Sequence, residues 1–226
     1  MKKGITAIGI IILVVFTAVF LAGCESLVEM AERANLRAAQ EREARQARVA
    51  ARDTTYGITD KVGTPGPAGG LIFYDKGNNT GGWQYMEVAP AGAEFSAAWG
   101  GRGLEVGETS QSIQSGSGNT ERIVSALGTR EPYEGRNDYA ARKASTLSYG
   151  GYRDWFLPSI AELEAIAYNI DRLGKGDFSQ RMAYLSSSEY DTDTVRALII
   201  GYQHTTGDQI LYEKDQPALV RPVRRF

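Results

Sequence analysis

A single thiol stands among 226 residues, at Cys24, and the four residues that end on it read Leu21-Ala22-Gly23-Cys24. Ahead of them lie Lys2, Lys3 and then nineteen uncharged residues from Ile5 to Gly23. A positive start, an apolar stretch and small residues before a cut are what signal peptidases read. A cysteine placed just past that cut is a substrate for thioether-linked diacylglycerol and an acyl chain on its freed amine. The expectation is a bacterial lipoprotein signal peptide over residues 1–23, removed to leave a lipid-modified Cys24. More than one hydrocarbon chain gives stable attachment to a membrane. The other reading is an uncleaved anchor, because about 20 apolar residues span a bilayer; on both readings the rest of the chain is tethered. Glu25, not Asp, follows the cysteine, which in diderm bacteria permits export to the outer membrane, periplasmic or surface-facing.

Beyond Cys24 the chemistry-bearing residues are sparse. His204 is the one histidine, so neither a histidine metal cluster nor a repeated proton relay can be built. Ser186, Ser187 and Ser188 are possible nucleophiles, but a hydrolase needs a base such as His204 within reach, and no nucleophile-elbow pattern occurs. A structural serine run is the plainer reading. Asp191-Thr192-Asp193 could offer oxygens to a hard cation or simply form an acidic surface turn. Arg221, Arg224 and Arg225 form the best basic cluster, suited to an anion such as a sulfated glycan; the commoner fate of half-buried arginine is pairing, here with Glu189 or Asp154. Removing residues 1–23 takes away two lysines and no acid, moving the formal charge from −2 to −4. With both signs mixed throughout, no nucleic-acid partner is expected. With Cys24 lipidated, no thiol is left for a disulfide, thiolate catalysis or a cysteine zinc site.

The elements that must position these residues are legible in outline. Residues 24–52 carry no Gly or Pro and are rich in Ala, Arg, Glu and Gln, strong helix formers. Glu29 with Arg33 and Glu41 with Arg45 stand four apart in the favourable order. This predicts a helical stalk of roughly 40 Å, a solvated spacer in preference to a coiled coil, since Arg42 and Arg45 would fall in the seam of Leu27, Ala31, Ala34 and Ala38. From residue 53 the texture changes, and 53–226 is the length of one domain. Leu71–Tyr74 and Trp83–Val88, flanking Gly77-Asn78-Asn79-Thr80-Gly81-Gly82, predict a β-hairpin. The Gly/Ser-rich segment from Phe95 to Gly118, with Trp99 inside it, predicts a recognition loop. Asn119 predicts a helix cap, residues 138–147 a second short helix, and Ser159 with Glu162 a capping box for a third, its buried stripe Leu163, Ile166, Ala167 and Ile170. Trp155 reads as a core anchor. Strands around 184–190, 195–202, 209–213 and 219–226 predict an antiparallel meander.

Five segments in this order, Gly-Gly-Leu-Ile-Phe-Tyr (69–74), Trp83 to Pro90, Gly-Tyr-Arg-Asp-Trp-Phe-Leu-Pro-Ser (151–159), Ser-Ser-Ser-Glu-Tyr (186–190) and Val-Arg-Pro-Val-Arg-Arg-Phe (220–226), resemble the Lcl C-terminal domain family, named for a collagen-like bacterial surface adhesin. The resemblance covers roughly residues 60–226. It implies an α+β, C-type-lectin-like domain with short helices packed on an antiparallel sheet, related to sulfatase-modifying (formylglycine-generating) domains. Those enzymes work through cysteines, which this domain lacks, so that activity is expected to be absent. Calcium-dependent lectins of similar fold use Glu-Pro-Asn or Gln-Pro-Asp, whereas here Gln216-Pro217 is followed by Ala218, which removes a carboxylate. The expected function is a membrane-anchored, non-catalytic binding module for a glycan or a protein. The candidate ligand-binding set is Trp99, Glu189, Arg221, Arg224 and Arg225, with no catalytic residue, metal or cofactor expected.

Overall fold

The absence of Gly and Pro after Cys24 has its structural counterpart in one long helix, α1 (Ala7–Thr55), which stops where Gly57 takes a left-handed φ of +56°. The computed structural model describes residues 7–128, 130, 132–179, 181–201 and 207–226, with side chains from residue 30 onward apart from that of Arg52. The backbone of Cys24 lies within α1, its side chain outside the described ones, and His204 is outside the described residues. From residue 30 onward, among the described side chains, no helix is long and apolar enough to cross a membrane. Residues 30–51 are exposed on every side of α1. The chain divides between Asp53 and Thr54 into this helical unit and a folded one.

The folded unit is α+β, with two sheets and three α-helices among the described residues. Three strands, β1 (Leu71–Asp75), β2 (Tyr85–Val88) and β8 (Val223–Arg225), form one antiparallel sheet in the order β1-β2-β8. The other sheet has the order β3-β7-β4-β5-β6, built from β3 (Phe95–Ala98), β4 (Met182–Glu189), β5 (Thr194–Ile200), β6 (Asp208–Glu213) and β7 (Pro217–Val220). The helices are α2 (Gly116–Gly128), α3 (Ala140–Ser145) and α4 (Ile160–Asn169).

Alternation along the strands places the two halves of the core. On β5, Val195 and Ala197 join Trp99, Ile123, Leu127 and Ala141 beneath α2 and α3, while Leu198 and Ile200 face Leu163, Ile166 and Ile170 of α4 and Phe73, Met86 and Val223 of the small sheet. The five-stranded sheet is thus covered on both faces. Trp155 is buried with Ala68, Ala89 and Ala93, the core anchor its sequence context predicts.

The hairpin and the 159/162 capping box form as expected: Ser159 Oγ accepts from Glu162 N at 3.2 Å, and Glu162 accepts from Ser159 N at 2.8 Å. Three expectations need correction. Asn119 does not cap α2, which begins three residues earlier; its side chain instead clasps both the N–H and the carbonyl of Ser110. The meander holds for β4-β5-β6, but β7 inserts between β3 and β4, with a parallel bridge from Tyr184 to Leu219. The expected terminal strand 219–226 is in fact two, one in each sheet. Pro222, which has no N–H to give a ladder, marks the switch, and its carbonyl accepts from Ala89 N beside the small sheet.

One glycine is held by its surroundings. Gly150 has φ +62°, and a Cβ there would lie 2.3 Å from the Ala68 carbonyl oxygen. Ala68 cannot retreat, since its N–H bonds the buried Glu87 carboxylate. Gly150→Ala is expected to cost about 1–3 kcal/mol from backbone strain, read as a lower midpoint in thermal unfolding followed by circular dichroism. An unchanged midpoint would contradict that packing.

Candidate functional site

The serine run stitches elements together. Ser186, Ser187 and Ser188 are fully buried. Ser186 Oγ donates to Arg196 O at 2.6 Å, Ser187 Oγ accepts from Asn119 Nδ2 at 3.1 Å, and Ser188 Oγ donates to Ser110 O at 3.0 Å while accepting from Ile160 N. These bonds tie β4 to β5, α2, α4 and the 99–115 segment. The hydroxyls have structural partners, and burial keeps them from solvent.

Trp99 and Glu189, far apart in sequence, are brought together around a residue that sequence reasoning missed. Lys214 is fully buried, with Nζ 2.5 Å from Glu189 Oε1, 2.9 Å from Leu104 O and 4.9 Å from the centre of the Trp99 ring. Glu189 also accepts from Val106 N at 3.0 Å and Gly107 N at 2.7 Å. Trp99 is fully buried and donates from Nε1 to Ser186 O at 2.9 Å. The expected recognition loop therefore has its tryptophan in the core, because an indole of that size with an internal acceptor for its N–H is most stable out of water. Lys214 could have been flagged only as a lone lysine in a turn, a signal too weak to single it out.

The arginines pair internally. Arg221 matches all five of its N–H donors: Nε and Nη2 to Glu94 Oε2 at 2.9 and 2.6 Å, Nη1 to Ala89 O and Gly176 O, and Nη2 to Asp177 O. Arg224 makes a two-bond fork with Asp154, at 2.8 and 2.9 Å, and reaches Glu87 at 2.7 Å. Its guanidinium lies 3.8 Å from the Tyr152 ring centre. Burial would lower the Arg224 pKa, but the bonds to Asp154 and Glu87 outweigh it and hold the group above its ordinary value. Asp154 is an expected partner; Glu189 serves Lys214 instead. Glu87 and Glu94 lie on separate strands or turns from the arginines and carry no sequence signal of pairing. Arg225 is half-buried, 5.5 Å from the Trp83 ring centre, so it is the one member of the trio without a described carboxylate pair.

Asp191 closes its own turn, accepting from Asp193 N, Thr194 N and Thr194 Oγ1; these bonds hold its carboxyl below the usual range. Among the described residues, no group of three or more His, Cys, Asp or Glu is placed to hold a metal ion.

A groove of about 450 Å³ lies open between the short turn Ala91–Ala93 and α3. Gly92, Glu94, Phe95, Lys143, Ser148 and Tyr149 line it. Lys143 Nζ lies 4.4 Å from the Phe95 ring centre and donates to Ser96 O at 3.1 Å. The Tyr149 hydroxyl has no hydrogen-bond partner among the described residues, although the Tyr149 backbone is fixed by paired bonds with Tyr152. Two aromatic rings, an ammonium, a phenol and a carboxylate thus line one open surface.

No protein-family model matches the chain. No curated protein matches it either.

Proposed function

We propose that the chain is a lipid-anchored cell-envelope lipoprotein whose folded unit is a C-type-lectin-like module that binds an extracytoplasmic ligand without transforming it. One observation carries the anchor: the sole cysteine sits at the end of Leu21-Ala22-Gly23-Cys24, behind two lysines and an uncharged run. The binding-module reading draws support from the fate of the chemistry-bearing side chains. Buried serines, Arg221, Arg224, Lys214 and Glu189 are matched to structural partners, and a groove of the size small ligands use lies open beside α3.

Mass spectrometry of the mature protein from a bacterial host tests the anchor. The N-terminal peptide is expected to begin at Cys24 and to carry diacylglycerol and an amide-linked acyl chain, with all three chains lost in Cys24→Ser. A mature protein bearing an unmodified Cys24 would overturn the proposal.

A further inference from the structure

We propose that the groove between the Ala91–Ala93 turn and α3 is a subsite for an uncharged sugar, a hexose or N-acetylhexosamine unit of a glycan. The inference rests on the reading of the folded unit as a binding module, and gives that module a place and a ligand class.

Gly92 is the first reason. It is exposed and its φ is not in the left-handed region, so the backbone does not demand glycine there. A Cβ would come 3.1 Å from the Tyr149 hydroxyl, tight enough to push the phenol aside. The missing side chain keeps space open under Tyr149. Ligand-binding grooves use glycine where another molecule must approach the backbone closely.

The second reason is the kind of contact on offer. Tyr149, half-buried, presents ring surface that suits the apolar C–H face of a pyranose, while Phe95, packed against the core with Lys143 over its ring, holds the ammonium in place. Lys143 uses one of its three donors on Ser96 O, leaving two for ligand oxygens. The Tyr149 hydroxyl can donate or accept, and Ser148 is exposed beside it. Glu94 keeps 14% of its side chain exposed; its Oε2 is taken by Arg221 and Tyr184, whereas Oε1 accepts only from Ser179. Donors and acceptors thus both line the groove beside the Tyr149 ring.

Charge narrows the class further. Arg221 neutralises Glu94 from behind, and among the described residues Lys143 is the one cation lining the groove. Lys143 is already engaged by the Phe95 ring and the Ser96 carbonyl, so neither charge calls for an ionic partner, and a hydroxyl-rich neutral ring matches the hydrogen-bonding positions that remain.

The test is calorimetry and chemical-shift titration of the full-length chain in detergent with cellobiose, chitobiose and, as an anionic control, a sulfated heparin disaccharide. Binding of at least one neutral disaccharide is expected with a dissociation constant of about 1 mM or tighter. Gly92→Leu, which fills the groove from an exposed position, is expected to weaken it at least tenfold with the thermal midpoint unchanged, and Lys143→Met several-fold. No binding of either neutral sugar at about 10 mM would overturn the inference. So would wild-type affinity in both variants, which would put sugar binding elsewhere and leave the module reading standing. Preference for the heparin disaccharide would overturn the ligand class. None of these outcomes touches the lipid anchor, whose failure is read separately at Cys24.

Discussion

Replacing Arg221 with methionine is expected to remove about 3–5 kcal/mol of stability, the usual result when one half of a buried ion pair is deleted. The side chain is fully buried and Glu94 nearly so, and the five guanidinium donors are matched by Glu94 and by the carbonyls of Ala89, Gly176 and Asp177. Methionine fills most of the volume but leaves a carboxylate and three carbonyls without their donor. Tyr184 and Ser179 would still donate to Glu94, which limits the loss. In a domain of this size the thermal midpoint should fall by roughly 10 °C or more. Glu94→Gln in the same chain removes the stranded charge while keeping an acceptor for Tyr184. The double variant should therefore be more stable than the two single losses added together, by about 1–3 kcal/mol. Additive losses would mean that Arg221 and Glu94 do not act as a pair.

The second large effect is on pH dependence, through Glu162. This carboxyl is wholly buried, and burial pushes it from 4.5 up to about 7 despite N–H bonds from Ser159, Gly116 and Gln114. An acid whose folded pKa lies above its unfolded one binds its proton more tightly when native. Between the two values the unfolded chain carries fewer protons, so stability falls as pH rises from about 4.5 to about 7 and levels off on either side. The expected drop attributable to Glu162 is about 3 kcal/mol. Denaturant unfolding at about pH 5 and about pH 7.5 measures it. Glu162→Gln should abolish this part of the slope, and should itself be less stable than the parent at the lower pH, because an amide cannot accept from all three N–H groups at once. Equal slopes in parent and variant would refute the assignment. Gly116 belongs to the same device: a Cβ there would lie 2.2 Å from Glu162 Oε2, so the approach that lets its N–H reach the carboxylate needs glycine.

The local rules carried the elements far better than the pairings. Ser159 and Glu162 are three apart in a pattern with one physical use, and the helix they cap is where that use requires. The hairpin turn between β1 and β2 is likewise written in consecutive residues. By contrast, Trp99 follows a short strand in a Gly/Ser-rich segment that reads as a surface loop, yet 87 residues separate it from the carbonyl that receives its N–H. Arg221 and Glu94 are 127 apart, and Arg224 and Glu87 137. Such partners are fixed by which strands become neighbours, and that depends on the whole fold. The groove escaped notice for a related reason: Gly92 and Tyr149 carry no motif, and only the packing of α3 beside a short turn sets them together.

The switch of strand at Pro222 makes the two sheets depend on one short segment. Residues 217–220 fill the gap between β3 and β4, and residues 223–225 complete the sheet begun by the first hairpin. Without that segment β1 and β2 are a bare two-stranded ribbon, which is marginal in water, and β3 has no strand partner among the described residues. Both sheets are therefore completed by a single short segment whose partners lie far away in the chain, contacts of high sequence separation that slow folding and make the two sheets depend on one another.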